Sequence, residues 1–275
     1  MRALLETAGF FRKFPRGRTV AVVGAGAALL LLRLASAGGD GGQTALAAQS
    51  TSQAASLSSD KDAALLEGFR HVEVASVSDA LEQLTGKKMY MTHRMRPIFT
   101  TRFAGRALTV LLKKETNHDP DALKGMLQAI DTGTANSVYV MVVEDGADIA
   151  GMGGLMGTAM SARNFSGAVI DGGVRDTAYL QKIGFPVYAL GVVPSTSISH
   201  YRFAGSNIPV TCDGVPVNPN DYIVADSDGV VVVPVGVATE VLKLAQEMDF
   251  KEHSMYAHIE RLKSIQEAVA KFGRL

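Results

Sequence analysis

The sequence predicts an α/β fold in which helices cover the faces of a mixed β-sheet. Between residues 106 and 193, β-branched apolar runs alternate with segments of helical periodicity. Several short β-rich segments follow at 209–234, and a long helical stretch runs from about Ala238 to Phe272. Alternating strands and helices followed by short strands are typical of a mixed sheet with helices on its faces.

The first predicted elements are two helices, a strand and a third helix. Residues 62–86 predict a helix, a short Val-rich break and a second helix that begins near Ser78 and ends at Gly86. The alternating segment 106–114 predicts a strand. The acidic turn at 119–121 predicts the start of the next helix, whose apolar positions at helical spacing are Leu123, Met126, Leu127 and Ile130.

The central elements alternate regularly. The apolar run 137–145 predicts a strand, and the glycine loop GMGGLMG at 151–157 leads into a helix. A strand at 167–171, a helix at 176–184 and a strand at 186–193 follow. Each of the first two strands therefore ends in a polar or glycine-rich segment.

Length and composition indicate a globular protein with a substantial core. The chain has 275 residues, of which 47% are hydrophobic and 20% are charged. Six of its 27 basic residues and one of its 27 acidic residues precede residue 38, so the remainder has 21 basic and 26 acidic residues, a net charge of −5. Because nucleic-acid binding draws its affinity from Lys and Arg on phosphates, we expect no nucleic-acid partner.

The N-terminal segment predicts a signal peptide or a membrane anchor over residues 1–37. A basic stretch at 12–18 precedes 14 mainly apolar residues at 19–32, and the small-residue motif at 35–37 follows. Fourteen helical residues rise about 21 Å, short of the roughly 30 Å hydrocarbon core, which favours a cleaved signal over a permanent span. We expect export to the periplasm or secretion, with membrane anchoring or an organellar transit peptide as alternatives. Residues 38–60 predict a flexible linker, and 61–275 the folded domain.

Other motifs do not indicate a different chemistry. Gly24 and Gly26 follow a Val run, but the third glycine of a dinucleotide-binding loop is replaced by Leu29. The only cysteine, Cys212, is interpreted as a small buried apolar residue. The six histidines are scattered. His253 and His258 are five residues apart and do not share a helix face, which argues against a zinc site, and His200 is interpreted as a surface residue that could approach the cleft.

The strongest candidate site lies where the two central strands end. The strand at 167–171 runs into Asp171, a glycine pair, Arg175 and Asp176, and the preceding strand leads to the glycine loop. Backbone N–H groups at a helix start bind anions, a guanidinium binds anionic oxygens and a carboxylate binds a divalent cation. Together they predict a site for a metal-bound oxo-acid. A tight turn, a helix cap and a surface ion pair are the structural alternative.

At these residues the chain resembles the RraA-like family, which includes the class II 4-hydroxy-4-methyl-2-oxoglutarate/4-carboxy-4-hydroxy-2-oxoadipate aldolases and the regulators of RNase E. The similarity extends over nearly all of residues 65–273 as ordered blocks. They are SVSDAL (76–81), FAGRALTV (103–110), AIDTG (129–133), GGLMGTAMSAR (153–163), GAVIDGGVRD (167–176), FPVYALGVVP (185–194) and PVTCDGVPVNPNDYIVADSDGVVVVP (209–234).

The resemblance implies a swivelling β/β/α domain, here with a C-terminal helical extension, assembled as a homotrimer or a hexamer of two trimers with sites near the subunit interfaces. It implies a Mg²⁺ or Mn²⁺ ion at Asp176 and a catalytic, substrate-binding role for Arg175. The backbone of Gly153, Gly154, Leu155 and Met156 would bind the carboxylate of a small 2-oxo acid. The implied reactions are retro-aldol cleavage and oxaloacetate decarboxylation, which share a pyruvate enolate.

The sequence departs from the family pattern at two positions near this site. Gly154 stands where active aldolases have an acid, and Tyr179 stands where the family often has another. A missing proton-transfer group typically costs about 10² to 10⁴ in rate. Asp148 or Glu144 could substitute for the first acid. A metal-dependent lyase and a non-catalytic binding or regulatory protein with a degenerate site are therefore both hypotheses.

Overall fold

A computed structural model describes residues 59–273 of the protein. The predicted signal or anchor, nearly all of the predicted linker and the Gly24–Gly26 motif lie outside the described residues. The helices are α1 (59–70), α2 (Val74–Thr85), α3 (Lys124–Thr132), α4 (Gly154–Ala162), α5 (Thr177–Lys182), α6 (Ala238–Leu262) and α7 (Ile265–Phe272). The strands are β1 (Arg96–Pro97), β2 (Phe103–Lys114), β3 (Ser137–Val143), β4 (Ala150–Met152), β5 (Gly167–Val174), β6 (Val187–Val192), β7 (Tyr201–Ser206), β8 (Val210–Cys212), β9 (Val215–Val217), β10 (Tyr222–Asp226) and β11 (Gly229–Val233).

A mixed nine-stranded sheet organises the described residues, which confirms the predicted fold class. Its strand order is β1-β6-β5-β3-β2-β10-β11, with β4 paired to β5 and β7 paired to β2. The central pairs β2–β3, β3–β5 and β5–β6 are parallel, whereas β10, β11 and β7 pair antiparallel. The carboxyl ends of β3 and β5 therefore meet at one edge, where both predicted polar segments begin.

The sheet is buried on both faces, and β3 shows how its sequence produces this. Tyr139 and Met141 point into a cluster with α3, α4 and α5, whereas Val138 and Val140 point into a cluster beneath the β8–β9 hairpin. Successive side chains of a strand alternate between faces, so a continuous apolar run suits a strand that is covered on both sides. A third cluster packs α1, α2 and α6 against β10 and β11.

Two predicted helix starts are wrong. A partner that is distant in sequence fixes the true start of one helix, and a local turn fixes that of the other. Helix α2 begins at Val74 and not near Ser78, since the backbone N–H of Val74 donates to Oδ2 of the buried Asp226 at 3.0 Å. Helix α3 begins at Lys124 and not at the acidic turn. There, Oδ1 of Asp119 accepts the backbone N–H of Asp121 at 2.9 Å, which closes a turn before the helix.

The predicted glycine loop at 151–157 is also wrong. Residues 150–152 form β4, which pairs with β5, and α4 begins directly at Gly154. Strand β5 extends beyond the predicted end at residue 171 to Val174. The glycine-rich sequence therefore forms a strand-to-helix junction with almost no loop.

The C-terminal helical extension is two helices. The chain turns at Lys263, which has a left-handed φ of 57°, and Oγ of Ser264 caps α7 by accepting the N–H of Glu267 at 3.3 Å. The apolar side chains of this region do not enter the core: Leu262 and Ile265 are exposed, and Ile259, Val269 and Phe272 are partly exposed. Within residues 59–273, no helix combines the length and the apolar character that a membrane crossing requires.

Candidate functional site

The strand pair β4–β5 brings the two predicted polar segments together. Met152 is aligned with Val174 in this parallel pair, and the backbone N–H of Arg175 donates to the carbonyl of Met152 at 3.0 Å. The residues that follow β4 and β5, Gly153 and Arg175, are therefore neighbours. This pairing places the start of α4 beside the Arg175–Asp176 dipeptide.

Asp176 lies at the centre of the site in an uncommon backbone conformation. It has φ 58° and ψ 32° and precedes α5. A non-glycine residue in this left-handed region is uncommon and costs roughly 1–2 kcal/mol, although Asp tolerates it better than most residues. Its Oδ2 accepts the backbone N–H of Gly154, the first residue of α4, at 2.8 Å. The carboxylate thus faces the positive end of the α4 dipole, with half of its side chain exposed.

Two glycines permit this close approach. A Cβ atom at Gly153 would lie 2.6 Å from Oδ2 of Asp176 and 3.1 Å from Cγ of Arg175. A Cβ atom at Gly154 would lie 3.1 Å from Cδ1 of Tyr179 and 3.4 Å from Cβ of Asp176. The two positions that depart from the family pattern, 154 and 179, therefore face each other, and the Tyr179 ring occupies the space in front of Gly154.

Arg175 is oriented by the segment that follows β6. Its Nη1 donates to the carbonyl of Ser195 at 3.1 Å, while its Nε lies 4.0 Å from Oδ2 of Asp176. Ser195 is itself fixed to the site, because its Oγ accepts the N–H of Ala150 at 2.9 Å and donates to the carbonyl of Asp148 at 3.0 Å. The guanidinium remains partly exposed, so donors are left for a ligand.

These residues line a cavity of about 550 Å³, within the roughly 300–1,000 Å³ typical of small-molecule sites. Of the predicted site residues, five line this cavity: Gly153, Leu155, Met156, Arg175 and Asp176. Gly154 lies instead at a neighbouring surface depression that shares Leu155 and Asp176 and contains Tyr179. The structure therefore brings the predicted site residues together, although Gly154 does not line this cavity.

The other walls come from segments that were not predicted to belong to the site. Residues 118–124, with His118 and Lys124, form one wall, and residues 196–199 form another. The acidic turn before α3 was the available signal, because a polar turn after a sheet strand often belongs to a site. His200 is exposed and does not line this cavity, and neither do Asp148 and Glu144.

Asp171 belongs to a separate structural network. It lies within β5, and its Oδ2 accepts the backbone N–H of Asp213 in the β8–β9 turn at 2.6 Å. Burial raises the pKa of Asp171. Burial also acts to raise the pKa of Asp213, but hydrogen bonds from Thr92 and Arg94 outweigh it and lower that pKa overall. Asp171 therefore anchors the hairpin to the sheet.

The single cysteine is a core residue, as predicted. Cys212 is fully buried in the cluster beneath the hairpin, and burial raises the pKa of its thiol well above the ordinary value. A buried, protonated thiol is neither a good nucleophile nor a good metal ligand.

Another group of charged side chains lies between α2 and α6. Glu73, Asp249 and His253 have potential ligand atoms within 4.8 Å of one another. Arg102 donates to Glu73 at 2.9 Å and lies 3.5 Å from Asp226, while His253 Nδ1 lies 2.9 Å from the Asp249 carbonyl. The backbone N–H of Glu73 donates to Oδ1 of Asp249 at 3.3 Å, and this hydrogen bond joins the start of α2 to α6.

Comparisons with known proteins agree with this architecture. A model of the RraA-like family, described as aldolase/RraA, matches residues 74–232. A Halalkalibacterium halodurans protein, provisionally named a 4-hydroxy-4-methyl-2-oxoglutarate aldolase, is 28% identical over 65% of this chain and 80% of its own length. A Burkholderia multivorans protein with the same provisional name is 34% identical over 48% of this chain and 75% of its own length.

Solved structures share the fold. An uncharacterised protein from Pseudomonas syringae superposes with a TM-score of 0.67 at 26% identity, over 74% of this chain and 96% of its own. Streptomyces coelicolor RraAS2, described as an unusual member of the RNase ES inhibitor RraA family, superposes with a TM-score of 0.61 at 24% identity, over 72% of this chain and 95% of its own. Since the family model matches more than half of the residues, the chain belongs to the RraA-like family.

Proposed function

We propose that the protein is a divalent-metal-dependent lyase that acts on 2-oxo acids, by retro-aldol cleavage of 4-hydroxy-4-methyl-2-oxoglutarate-type substrates, oxaloacetate decarboxylation, or both. One observation carries the proposal: Asp176, Arg175 and the start of α4 converge on one wall of a cavity of suitable size. The provisional aldolase names of relatives at 28–34% identity support the same reaction class.

The donor set at this wall fits Mg²⁺ or Mn²⁺. Asp176 uses Oδ2 for the Gly154 N–H, so its other oxygen is available as a hard ligand. Among the residues that line this wall it is the one carboxylate, and Mg²⁺ commonly binds through one or two carboxylates and retains several waters. A cation held at Asp176 would supply Lewis acidity towards the 2-oxo group of the substrate.

The side chains and backbone of the chain supply the remaining functions. The N-terminal turn of α4 presents the backbone N–H groups of Leu155 and Met156 and the positive end of a helix dipole to the substrate carboxylate, whereas the Gly154 N–H is already donated to Asp176. Arg175, held by the Ser195 carbonyl, donates to the oxygen that becomes negative in the pyruvate enolate. Preorganised donors of this kind are worth roughly 10² to 10³ in rate each.

Gly154 favours a second hypothesis, a non-catalytic binding or regulatory protein with a degenerate site. No carboxylate at position 154 assists proton transfer, and the side chains of Asp148 and Glu144 do not line the cavity. Glu144 is already engaged, because it accepts the N–H of Lys114 at 3.1 Å and lies 3.6 Å from the Lys113 ammonium. A substrate-bound water would have to carry the proton, which lowers the expected rate.

The test is pyruvate release from oxaloacetate and from 4-hydroxy-4-methyl-2-oxoglutarate with Mg²⁺ or Mn²⁺, using wild type, Arg175→Ala and Asp176→Ala. The lyase proposal predicts a wild-type rate above that of the metal alone, abolished by EDTA and reduced at least about 10²-fold in both variants. Equal rates in all three proteins and in the protein-free control would contradict it.

A Gly154→Asp variant separates a diverged site from an inactive scaffold. Because its Cβ would approach the Tyr179 ring to 3.1 Å, Gly154→Asp is combined with Tyr179→Ala, and the matched comparison is this double variant against Tyr179→Ala alone. A lyase site predicts at least tenfold more activity in the double variant than in Tyr179→Ala alone. A binding protein predicts no activity in any of them.

We also propose that the protein assembles as a homotrimer or a hexamer. Phe250 on α6 is 75% exposed, and Leu262 and Ile265 add apolar surface at the α6–α7 turn. Exposed apolar patches mark association sites. Light scattering coupled to size-exclusion chromatography measures the assembly. A monomer at micromolar concentration would contradict the proposal.

The N-terminal proposal is export through residues 1–37, with a retained membrane anchor as the alternative. Intact-mass measurement of the protein recovered from its native host distinguishes a chain cleaved after the 35–37 motif from the full chain.

A further inference from the structure

The chain that follows β6 leaves the sheet beside Arg175. The last hydrogen bond between β6 and β5 runs from the N–H of Val193 to the carbonyl of Val174 at 2.9 Å. Pro194 comes next and has no N–H to donate, so it cannot continue this pairing. The chain then forms the cavity wall at residues 196–199. Beyond Pro194, this segment must be held against the site by other contacts.

The hydroxyl of Ser195 supplies these contacts. Its Oγ accepts the N–H of Ala150 at 2.9 Å and donates to the carbonyl of Asp148 at 3.0 Å. Ala150 begins β4, which pairs with the end of β5, so the hydroxyl joins the segment after β6 to the segment at β4. In the described part of the chain, the hydrogen bonds that tie residues 194–198 to other segments are those of Ser195.

The carbonyl of the same residue orients Arg175. It accepts Nη1 of Arg175 at 3.1 Å. The Nε of Arg175 lies 4.0 Å from Oδ2 of Asp176, which is too far for a hydrogen bond. Within residues 59–273, the Ser195 carbonyl is therefore the hydrogen-bond acceptor that fixes this partly exposed guanidinium. Because a long side chain otherwise samples many rotamers, a fixed acceptor reduces the entropy that Arg175 loses when a ligand binds.

Resting on the proposed lyase function, we propose that Ser195 is a positioning residue that acts on the substrate through Arg175. Ser195 does not line the cavity, so its own groups do not touch the substrate. Its hydroxyl fixes its carbonyl, its carbonyl fixes Nη1, and the remaining guanidinium donors face the oxygen that becomes negative in the enolate. These hydrogen bonds all lie within one chain, so they do not depend on the state of assembly.

The first test is a double-variant cycle of oxalate affinity. Calorimetry with Mn²⁺ compares wild type, Ser195→Ala, Arg175→Ala and the variant that carries both changes. Residues that act through one another give non-additive effects. We expect Ser195→Ala to weaken oxalate binding about fivefold when Arg175 is present and less than about 1.5-fold when it is absent. Equal weakening in both backgrounds would show that Ser195 acts independently of Arg175, and would overturn the inference.

The second test separates kcat from KM for oxaloacetate. Ser195→Ala should lower kcat about tenfold and change KM less than about threefold, because Arg175 mainly stabilises charge that develops in the transition state. Ser195→Thr retains the hydroxyl and should restore at least about half of the wild-type kcat. Thr109→Val is the matched control, since Oγ1 of Thr109 donates to the Ile208 carbonyl at 2.6 Å but Thr109 does not line the cavity. It should lower the melting temperature and leave kcat and oxalate affinity unchanged.

The outcomes distinguish this inference from the proposed function. Wild-type kcat and oxalate affinity in Ser195→Ala would overturn the positioning role and leave the lyase function intact. The same loss of kcat in Thr109→Val as in Ser195→Ala would also overturn it, because both variants would then act through stability alone. Absence of pyruvate from every substrate with wild type would overturn the lyase function itself, whereas the oxalate cycle would still measure the coupling of Ser195 to Arg175.

Discussion

A methyl group added at Gly153 should disable the site without unfolding the protein. The backbone there is extended, with φ −151° and ψ −166°, so alanine adopts it without strain. The added Cβ would stand 2.6 Å from Oδ2 of Asp176 and 3.1 Å from Cγ of Arg175, and each contact is shorter than ordinary van der Waals separation. Both side chains are partly exposed and can move away. Ordinary contact begins at 3.4 Å, so the collision should displace the Asp176 carboxylate by about 0.8 Å (3.4 − 2.6).

Misplacement of reacting groups by about 1 Å can cost 10²-fold in rate. We expect Gly153→Ala to lower kcat/KM for pyruvate release by about 10²-fold, which corresponds to about 2.7 kcal/mol of transition-state stabilisation. The melting temperature should change by no more than a few degrees. Gly191→Ala is the control, because its added Cβ would meet no atom within 4 Å. A Gly153→Ala enzyme whose kcat/KM is within threefold of wild type would show that the site does not depend on the close approach of Asp176 to Gly153.

Three further predictions concern the scaffold. Asp226→Ala leaves the backbone N–H groups of Val74 and Asp228 without their buried acceptor, so urea denaturation should show a decrease of about 3 kcal/mol in the free energy of unfolding. A decrease below about 1 kcal/mol would argue against Asp226 as the cap of α2. The hydrogen bond to the Asp249 carbonyl and the Asp249 charge raise the pKa of His253. Protonated His253 therefore stabilises the folded protein; this contribution is complete below pH 6.5 and is lost as pH rises through the folded-state pKa. The melting temperature of His253→Ala should accordingly fall further below wild type at about pH 6 than at about pH 8.5, unlike that of His258→Ala, since burial and nearby cations lower the pKa of His258. Iodoacetamide should label Cys212 only after unfolding, and rapid labelling of the native protein, seen by mass spectrometry, would contradict its burial.

The strands could be predicted because each carries its own signal. The run from Ser137 to Val143 is apolar at nearly every position, and a strand buried on both faces requires this pattern. The polar segments after β3 and β5 could be placed together, since neighbouring parallel strands end at the same edge. The sequence alone therefore predicted that Arg175, Asp176 and the start of α4 lie in one site.

The errors have tertiary causes. No sequence feature near Val74 predicts a helix start, because the cap of α2 is supplied by Asp226, 152 residues later. The glycine loop was expected from composition, yet pairing with β5 converts residues 150–152 into a strand. Asp171 was expected at the end of a strand, in the polar segment that leads to Arg175 and Asp176, but it lies within β5, where its carboxylate accepts a backbone N–H from the β8–β9 turn.

The cavity walls could not be predicted for a similar reason. Lys124 and Ile198 are 74 residues apart and lie in segments with no strong local pattern, so only the folded chain brings them around Asp176. The proximity of Tyr179 to Gly154 likewise could not be predicted from the sequence. Both positions were visible as departures from the family pattern, but their contact depends on how α5 packs beside α4.

The proposed lyase function requires that Asp176 bind a cation that in turn binds the oxo-acid. Calorimetric titration of oxalate, a planar mimic of the pyruvate enolate, into protein with and without Mn²⁺ measures this dependence, and Asp176→Ala is the variant to compare. We predict oxalate binding at least tenfold tighter with Mn²⁺ than with EDTA in wild type, and no such gain in Asp176→Ala. Oxalate binding that is equally tight without the metal, or unchanged in Asp176→Ala, would contradict a metal site at Asp176.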